Sequence, residues 1–177
     1  DPEGNFVAVV AATQVGKTLG LMAGILWCAE NSPAPGLVVL PDQVSAVEFR
    51  DRLYATASAS AISGQFRRLK VPPEHLWNAR WIDLGSMRVY LAWSGSRQRM
   101  RGRACKRVWD SEVDVYDGDK KSGDPISASH QRTKAFYHYL HYHESSPTAH
   151  PSEITALEES CTDRRRWHVP CPHCGKW

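Results

Sequence analysis

A short apolar run that ends in a small-residue loop closed by Gly16-Lys17-Thr18 constrains this chain more than any other feature. Residues 7–10 are typical of a short apolar strand, and an almost wholly apolar segment begins at Leu19. In strand–loop–helix units of this kind, backbone N–H groups surround phosphates, the lysine reaches the β- and γ-phosphates, and the threonine hydroxyl ligates Mg²⁺. The positive end of the helix favours the same anion. An ordinary strand–turn–helix is the alternative, since Ala11 stands where such loops usually have their first glycine.

This loop is the first candidate site. We expect a nucleotide to bind there through six residues: Thr13, Gln14, Val15, Gly16, Lys17 and Thr18. A nucleotide hydrolase also needs a metal-side carboxylate and a group that orients water, both at the end of a second apolar strand. The candidate is the segment 107–114, where an apolar pair leads into Asp110, Glu112 and Asp114. An exposed acidic loop is the alternative.

The first 57 residues alternate between strand and helix. Strands are predicted at 6–10 and 37–40, and helices at 19–29 and 43–57, the second of them capped by Asp42. Such alternation is typical of a parallel sheet with right-handed crossovers and helices on its faces. The predicted fold class is therefore α/β.

Further elements are predicted downstream. Residues 80–84 and 87–93 flank Gly85-Ser86 and predict an added β-hairpin. A strand is predicted at 106–110, a helix at 125–140, and another strand leading into 145–148. Three histidines lie near this last boundary without a clean i, i+4 pair, so packed aromatics or an amphipathic surface are favoured over a metal site: His138, His141 and His143.

Composition limits the class of protein. With 177 residues, of which 42% are hydrophobic and 23% charged, the chain suits one α/β domain with a small appendage. No apolar run approaches the ~20 residues of a membrane span, so no membrane partner is expected. Five cysteines without framework spacing favour a reducing compartment. Cys28 and Cys105 are predicted to be buried thiols, whereas Cys171 and Cys174 form a metal-like C-P-x-C-G unit.

Basic side chains are concentrated in residues 95–107, which hold five arginines, one lysine and no acid. The net charge of +3 is by itself too small to indicate nucleic-acid binding. Because clustered guanidinium groups repel one another, we expect an anion nearby, either the phosphate of a nucleotide or that of DNA. A solvated loop is the alternative.

Several motifs in one order resemble those of a known family. The order is A-T-Q-V-G-K-T, S-x-S-R-Q-R-M-R-G-R, S-E-V-D, G-D-P, S-S-P-T and V-P-C-P-H-C-G, over essentially the whole chain. It is similar to that of the large terminase subunit of lambda-type tailed phages, whose ATPase domain carries Q-V-G-K-T, D-E-V-D, G-D-P, S-x-P-T and V-P-C-P-H-C-G. The resemblance implies a RecA-like P-loop ATPase that uses ATP and Mg²⁺ to pump double-stranded DNA into a procapsid.

The resemblance also assigns roles by position. It makes Glu112 the catalytic carboxylate that positions water, and it gives Lys17 and Thr18 the phosphate and Mg²⁺ contacts. The segment Ser146-Pro147-Thr148 would sense the γ-phosphate and relay its loss.

An arginine is expected to stimulate hydrolysis. Gln14 occupies the loop position that holds this arginine in some terminases. Arg101 is therefore the first candidate, and either Arg101 or Arg103 would contact phosphate or DNA, in the same subunit or from a neighbour.

The residues expected to bind Mg²⁺ after the second strand depart from the family pattern. Ser111 stands in place of the first aspartate of D-E-V-D, and Asp110 lies one residue earlier, where a strand would point it the other way. Three outcomes are open: Asp110 serves the metal through a bulge, Ser111 holds Mg²⁺ through water, or turnover is slow.

The expected organisation is a motor domain at 1–160, followed by a basic segment and the first half of a zinc ribbon at 161–177. Zn²⁺ at Cys171 and Cys174 is expected in a complete protein, with a second ligand pair downstream, rather than in this chain alone. The abrupt start at Asp1 indicates a piece of a longer protein, whose nuclease domain would lie beyond Trp177. The resemblance also implies a homo-oligomeric ring, a small terminase subunit and a portal as partners, and the host cytoplasm as location.

Two other functions fit parts of the sequence. A helicase-type nucleic-acid translocase shares the loop and the acidic segment but should show a second RecA-like lobe. A degenerate nucleotide- or DNA-binding scaffold is suggested by Ala11 and Ser111.

Overall fold

Apolar runs separated by turn-forming segments fold into one central sheet with helices on both faces. The computed structural model describes residues 3–61, 63–64, 73–116, 123–166, 168 and 170–176. The strands are β1 (Glu3–Val10), β2 (Gly36–Leu40), β3 (Trp81–Asp83), β4 (Arg88–Trp93), β5 (Arg107–Ser111) and β6 (His138–Ser145). The helices are α1 (Lys17–Asn31), α2 (Gln43–Ser58), α3 (Pro73–Leu76), α4 (Arg97–Met100), α5 (Pro125–His130) and α6 (Glu153–Glu159), with a 3₁₀ turn at Val113–Val115.

The six strands lie in the order β1-β6-β5-β2-β4-β3. All neighbouring pairs are parallel except β3 and β4, which pair antiparallel as the added hairpin. The predicted mainly parallel sheet and the hairpin are both confirmed. Because β1, β6 and β5 are parallel neighbours, their carboxyl ends meet at one edge of the sheet, which is where open α/β sheets bind ligands.

The two faces of the sheet are covered by different elements. Val38 and Leu40 of β2 pack in the same cluster as residues of α1 and α2, whereas Leu37 and Val39 pack with Met100 and Cys105 on the other side. This division follows from the period of two along a strand. All five residues of β2 are buried. The continuous apolar run of this strand is therefore the pattern expected of a parallel strand covered on both faces.

Local signals fix the start of α2. The side chain of Asp42 accepts a 2.8 Å hydrogen bond from the backbone N–H of Ser45, which satisfies one of the free donors at the helix terminus. Leu53 and Phe49 then bury the inner face of the helix. The predicted cap and helix are confirmed.

The helix predicted at 125–140 is wrong beyond its first turns. Asp124 caps α5 by accepting hydrogen bonds from the N–H groups of Ile126 and Ser127, but the helix ends at His130. Residues 138–140 instead begin β6, and the rest of β6 confirms the strand predicted to lead into 145–148. β6 pairs with β1 on one side and β5 on the other. Two complete backbone ladders outweigh the weak local preference of this His- and Tyr-rich segment. None of the described helices is both long and apolar enough to cross a bilayer.

Candidate active site

The small-residue loop joins β1 to α1 at the carboxyl edge of the sheet. Gly16 has a φ of 91° and Gln14 a φ of 61°, so the chain turns through left-handed conformations before the helix begins at Lys17. Glycine makes such a turn without steric cost. Thr13, Gln14, Val15 and Gly16 are exposed, while Thr18 lies half-buried in the first turn of α1. The loop therefore leaves its backbone and the helix N-terminus open to an anion.

Lys17 connects three separate segments of the chain. Its Nζ donates hydrogen bonds to the Ser146 Oγ at 2.7 Å and to the Ala12 carbonyl oxygen at 3.1 Å. The same Nζ lies 3.6 Å from the Glu112 Oε1, and its side chain is 5% exposed. The structure thus brings together the lysine, the predicted catalytic carboxylate and the predicted coupling serine.

Glu112 directly follows β5 in a strained backbone conformation. Its φ of 56° and ψ of 51° are left-handed, which is rare for a residue with a side chain. Strain of this kind persists only where the surrounding structure holds it, and it is concentrated at functional sites. The turn leaves the carboxylate beside Lys17 and 36% exposed, so it is accessible from solvent.

The metal side contains a carboxylate that sequence reasoning missed. Ser111 lies opposite Glu144 in the β5–β6 register, and its Oγ donates a 2.6 Å hydrogen bond to the Glu144 Oε1. Glu144 is fully buried, and its Oε2 has no hydrogen-bond partner among the described residues. Burial raises the pKa of Glu144, and the carboxylate of Glu112 raises it further, against the hydrogen bond from Ser111 and the charge of Lys17. The usable signal is a lone acid at the end of the strand that is predicted to lead into 145–148.

Asp110 lies on the opposite face of the sheet from Ser111. Its Oδ2 accepts a 3.0 Å hydrogen bond from the Ser129 Oγ and lies 3.1 Å from the His143 Nδ1. β5 is regular at this point, since its pairing with β6 runs without interruption from Arg107 to Ser111. The structure therefore places Ser111, and not Asp110, on the face that carries Lys17.

Asp114 links the acidic segment to the segment 145–148. Its Oδ2 accepts a 2.9 Å hydrogen bond from the N–H of Thr148, and its Oδ1 accepts one of 2.7 Å from the N–H of Ile154 in α6. The backbone N–H of Asp114 donates to the Ser145 Oγ at 3.2 Å. The segment that contains Ser146 and Thr148 is thus held by Lys17 at one end and by Asp114 at the other.

Arginine side chains line a cleft of about 430 Å³ beside β4: Arg80, Arg99, Arg101 and Arg103. The guanidinium of Arg99 lies 4.3 Å from the centre of the Trp93 ring, and that of Arg103 lies 4.3 Å from the Tyr90 ring. Burial, together with the positive charge of Arg80, lowers the pKa of Arg99. Within the described part of the chain, no carboxylate forms an ion pair with these four groups.

Two arginines of the basic segment, Arg107 and Arg101, differ in burial. Arg107 is buried and its Nη2 donates to the Ser32 Oγ at 2.7 Å, so it belongs to the packing of β5. Arg101 is exposed, and no hydrogen bond or ion pair joins it to Lys17 or Glu112 among the described residues.

The cysteine pair forms a tight turn. The N–H of Gly175 donates to the Cys171 carbonyl oxygen at 2.8 Å, and the N–H of Cys171 donates to the carbonyl oxygen of Lys176. Backbone N–H groups of His173 and Cys174 lower the pKa of Cys171. No third metal-ligating side chain joins the pair within the residues that the structure covers. Cys28 and Cys105 are buried, as predicted.

Comparisons with known proteins agree with this geometry. In a structure search, the chain is similar to the large terminase ATPase domain of Thermus phage P74-26, with a TM-score of 0.55 and 12% identity. The match covers 88% of this chain and 62% of that one. A mutant of the same domain, in which one arginine is replaced by alanine, matches with a TM-score of 0.55 and 12% identity over 88% of this chain and 63% of that one. The chain thus spans less than two thirds of the domains it matches.

A sequence search finds no match among curated proteins. The family model of the phage terminase large subunit gpA ATPase domain, in contrast, matches residues 1–177. The open loop at Lys17, the carboxylate that follows β5, and the sheet agree with that match. The chain belongs to the ATPase-domain family of the phage terminase large subunit gpA.

Proposed function

We propose that this chain is the motor domain of a packaging ATPase that hydrolyses ATP to move double-stranded DNA into a procapsid. The observation that carries the proposal is the position of Lys17, whose ammonium contacts Ser146 and lies 3.6 Å from Glu112. A γ-phosphate bound by Lys17 would compete for both partners. Binding and loss of that phosphate would therefore change the position of the segment 145–148 relative to α1.

Glu112 is the proposed group that orients the attacking water. Its carboxylate is partly exposed, lies beside the phosphate-binding lysine and is held by a strained backbone. Lys17 would neutralise charge on the transferring phosphoryl group, and the N-terminus of α1 would contribute N–H donors.

Mg²⁺ fits the metal side through Thr18 and the Ser111–Glu144 pair. The buried Glu144 has an unpaired Oε2, which a cation would compensate, and Ser111 supplies a hydroxyl oxygen. Oxygen donors of this kind are the ligands that Mg²⁺ prefers. When bound, the ion would neutralise charge on the phosphates. We propose that Glu144 compensates for the serine at position 111, and that Asp110 has another role.

The arginine-lined cleft is the proposed contact with the DNA backbone. Four guanidinium groups, two of them held against aromatic rings, present positive charge without a described acidic partner. Such a surface binds phosphates without reading bases, as a motor that passes any sequence requires. Arg101, at the exposed rim of this cleft, is proposed to reach the active site of a neighbouring subunit in a homo-oligomeric ring.

The wider assembly is proposed by family membership. It comprises a small terminase subunit and a portal, a nuclease domain elsewhere in the full protein, and action in the host cytoplasm. Zn²⁺ at Cys171 and Cys174 is proposed for a longer chain that supplies two more ligands, because structural zinc needs four.

DNA binding by full-length protein tests the motor proposal through its salt dependence. We expect Arg103→Gln to lower the slope of log affinity against log salt by about one phosphate contact. Arg52→Gln, which removes an exposed charge from α2, is the matched control and should leave the slope unchanged. Equal slopes for wild type and both variants would show that the cleft does not contact DNA. ATP hydrolysis that is not stimulated by DNA would favour the alternative function, a nucleotide- or DNA-binding scaffold that does not move DNA.

A further inference from the structure

Three clefts on one face of the sheet share lining residues and join into a single groove. The arginine-lined cleft beside β4 shares Arg101 with a second cleft of about 360 Å³, which Arg132 also lines. Ser127 and Gln131 of that second cleft also line a third one, of about 590 Å³, between α5 and β6. The groove therefore runs from the arginines beside β4 to the start of β6.

Positive charge continues along the first two clefts. The N–H of Cys105 donates a 2.9 Å hydrogen bond to the carbonyl oxygen of Arg132. Burial raises the pKa of Cys105, and the charges of Arg132 and Arg103 both oppose that rise, so the two guanidinium groups lie near the same thiol. Tyr90, at the arginine end, and Ala128 of α5 pack against one apolar cluster, on the side of the sheet away from α1 and α2. The two clefts thus form one basic surface.

The stretch of chain at the far end of the groove is basic and aromatic. Residues 125–143 contain no aspartate or glutamate, but they include Arg132, Lys134 and four large aromatic side chains. Asp124 lines the second cleft, and its carboxylate is occupied as the cap of α5, where it accepts hydrogen bonds from two backbone N–H groups. Basic residues combined with aromatic ones are typical of surfaces that bind single-stranded nucleic acid.

Flat rings line the third cleft. His141 stacks on His130 with centroids 3.8 Å apart and 7° between the ring planes, and the Tyr139 ring lies 4.8 Å from that of His141. Burial, followed by the charges of His130 and His143, lowers the pKa of His141 to about 3. Burial also lowers the pKa of His130. Both imidazoles are therefore uncharged at neutral pH, so they contribute flat ring surface rather than phosphate-binding cations.

Neighbouring side chains hold these rings in place. The His141 Nε2 lies 2.8 Å from the Thr133 Oγ1, and the His130 Nε2 lies 3.0 Å from the Nε2 of His143. On its other side, the His143 ring places its Nδ1 3.1 Å from the buried Asp110 carboxylate. Asp110 therefore supports the cleft through His143 and His130. Rings that are fixed in advance lose little conformational freedom when a ligand binds.

We propose that the groove binds single-stranded DNA, with phosphates on its arginines and unpaired bases stacked against the rings of the third cleft. The proposal rests on the DNA contact proposed for the arginine-lined cleft and extends it. Bases within a duplex are covered on both faces by their neighbours, so an unpaired stretch is needed for stacking on protein rings. The third cleft, at about 590 Å³, is within the size range of sites for small planar ligands. The expected ligand is thus an unpaired end of the DNA that the protein binds.

The test measures binding of three labelled DNAs by full-length protein in fluorescence anisotropy. One is a blunt duplex. The other two are the same duplex with a single-stranded overhang of about ten residues, either thymidines or abasic sites, placed at the 5′ or the 3′ end. The two overhangs carry equal charge, so their difference isolates the bases. We expect the thymidine overhang to bind about fivefold or more tightly than the abasic one, the gain expected of one stacked base.

Three variants locate the effect. Tyr139→Leu removes the ring but keeps an apolar side chain at the place where the ring covers Gly4. It should abolish the difference between the overhangs, whereas Tyr139→Phe keeps the ring and should retain that difference. Trp27→Leu, which removes a 61% exposed ring from α1, is the matched control and should behave as wild type. The affinity for the blunt duplex should be unchanged in all three.

Three outcomes would overturn the proposal. The first is equal affinity of wild type for the thymidine and abasic overhangs, and the second is a difference that Tyr139→Leu retains or that Trp27→Leu loses as well. The third is equal loss in Tyr139→Leu and Tyr139→Phe, because stacking needs the ring and not the hydroxyl. Binding of the blunt duplex and its dependence on Arg103 test the arginine-lined cleft separately, so the proposed motor function can hold while the overhang effect fails.

Discussion

The Ser111 hydroxyl donates a 2.6 Å hydrogen bond to the Glu144 carboxylate at the point where two parallel neighbouring strands end. The family pattern has an aspartate at position 111. A serine alone would leave this face of the site without the negative charge that a metal ion needs. We propose that Glu144 supplies that charge from the adjacent strand, so that the carboxylate is displaced by one strand rather than lost.

Glu144→Gln should reduce ATP hydrolysis at least tenfold, which corresponds to ~1.4 kcal/mol of activation free energy. Glutamine keeps the size of the side chain and can still accept from Ser111, but it carries no charge. Steady-state phosphate release at saturating Mg²⁺ measures the effect. Glu153→Gln, on α6, is the control, and equal activity of the two variants would exclude Glu144 from the metal side.

The same variant should gain stability at high pH. Because burial raises the pKa of Glu144, the folded state holds this proton more tightly than the unfolded chain does. Stability from this group is therefore greatest below the unfolded pKa of about 4.3 and falls as the pH rises through the folded pKa. Glu144→Gln should have a higher Tm than wild type at pH 8, and this advantage should shrink as the pH approaches 4.5. A variant with a lower Tm at pH 8 would contradict the assignment.

Ser146→Ala should lower ATP turnover, since the lysine ammonium loses a hydrogen bond worth about 1.5–3 kcal/mol. Lys17 would then be held by Ala12 and Glu112 alone. Ser146→Thr restores a hydroxyl and should recover most of the activity. Failure of threonine to recover more than alanine would show that the hydroxyl is not the relevant group.

Asp114→Asn should lose about 1–2 kcal/mol of stability, because the charged acceptor for the N–H groups of Thr148 and Ile154 is removed. It should also weaken DNA stimulation more than basal hydrolysis. Asp124→Asn is a matched control, since it removes the charged cap of α5 without touching the segment 145–148. Equal loss of DNA stimulation in both variants would show that Asp114 acts only as a helix cap.

Thiol reactivity should differ sharply between two cysteines. Burial raises the pKa of Cys105 to about 11, whereas backbone N–H groups lower the pKa of the Cys171 thiol. Because the thiolate is the reactive form, iodoacetamide at pH 8 with EDTA should label Cys171 and spare Cys105 in folded protein. Peptide mass spectrometry reads both sites. Labelling of Cys105 as fast as the half-buried Cys161 would contradict the burial of Cys105.

The sheet could be predicted because its signals are local. The apolar run of β2, the cap at Asp42 and the Gly85-Ser86 turn each fix one element from a few residues. Lys17 and Glu112 could be proposed together for a similar reason, because the loop that holds Lys17 follows one predicted strand and the acidic segment that holds Glu112 follows another.

Glu144 could not be found in this way, because its role depends on strand order. Nothing near His138 indicates that β6 lies between β1 and β5, so the predicted strand could not be placed beside Ser111. The surroundings of Asp110 could not be predicted for the same reason. Only the pairing with β6 shows that its neighbours are His143 and, through α5, Ser129.

Phosphate release from ATP by full-length protein, Lys17→Ala and Glu112→Gln is the most direct test of hydrolysis at this site. Glu48→Gln, which changes an exposed carboxylate on α2, is the control. Wild type and the control should hydrolyse ATP at equal rates, with Glu112→Gln slower by on the order of 100-fold and Lys17→Ala near background. Equal rates for all four proteins would contradict the assignment of Lys17 and Glu112 as the centre of an ATPase.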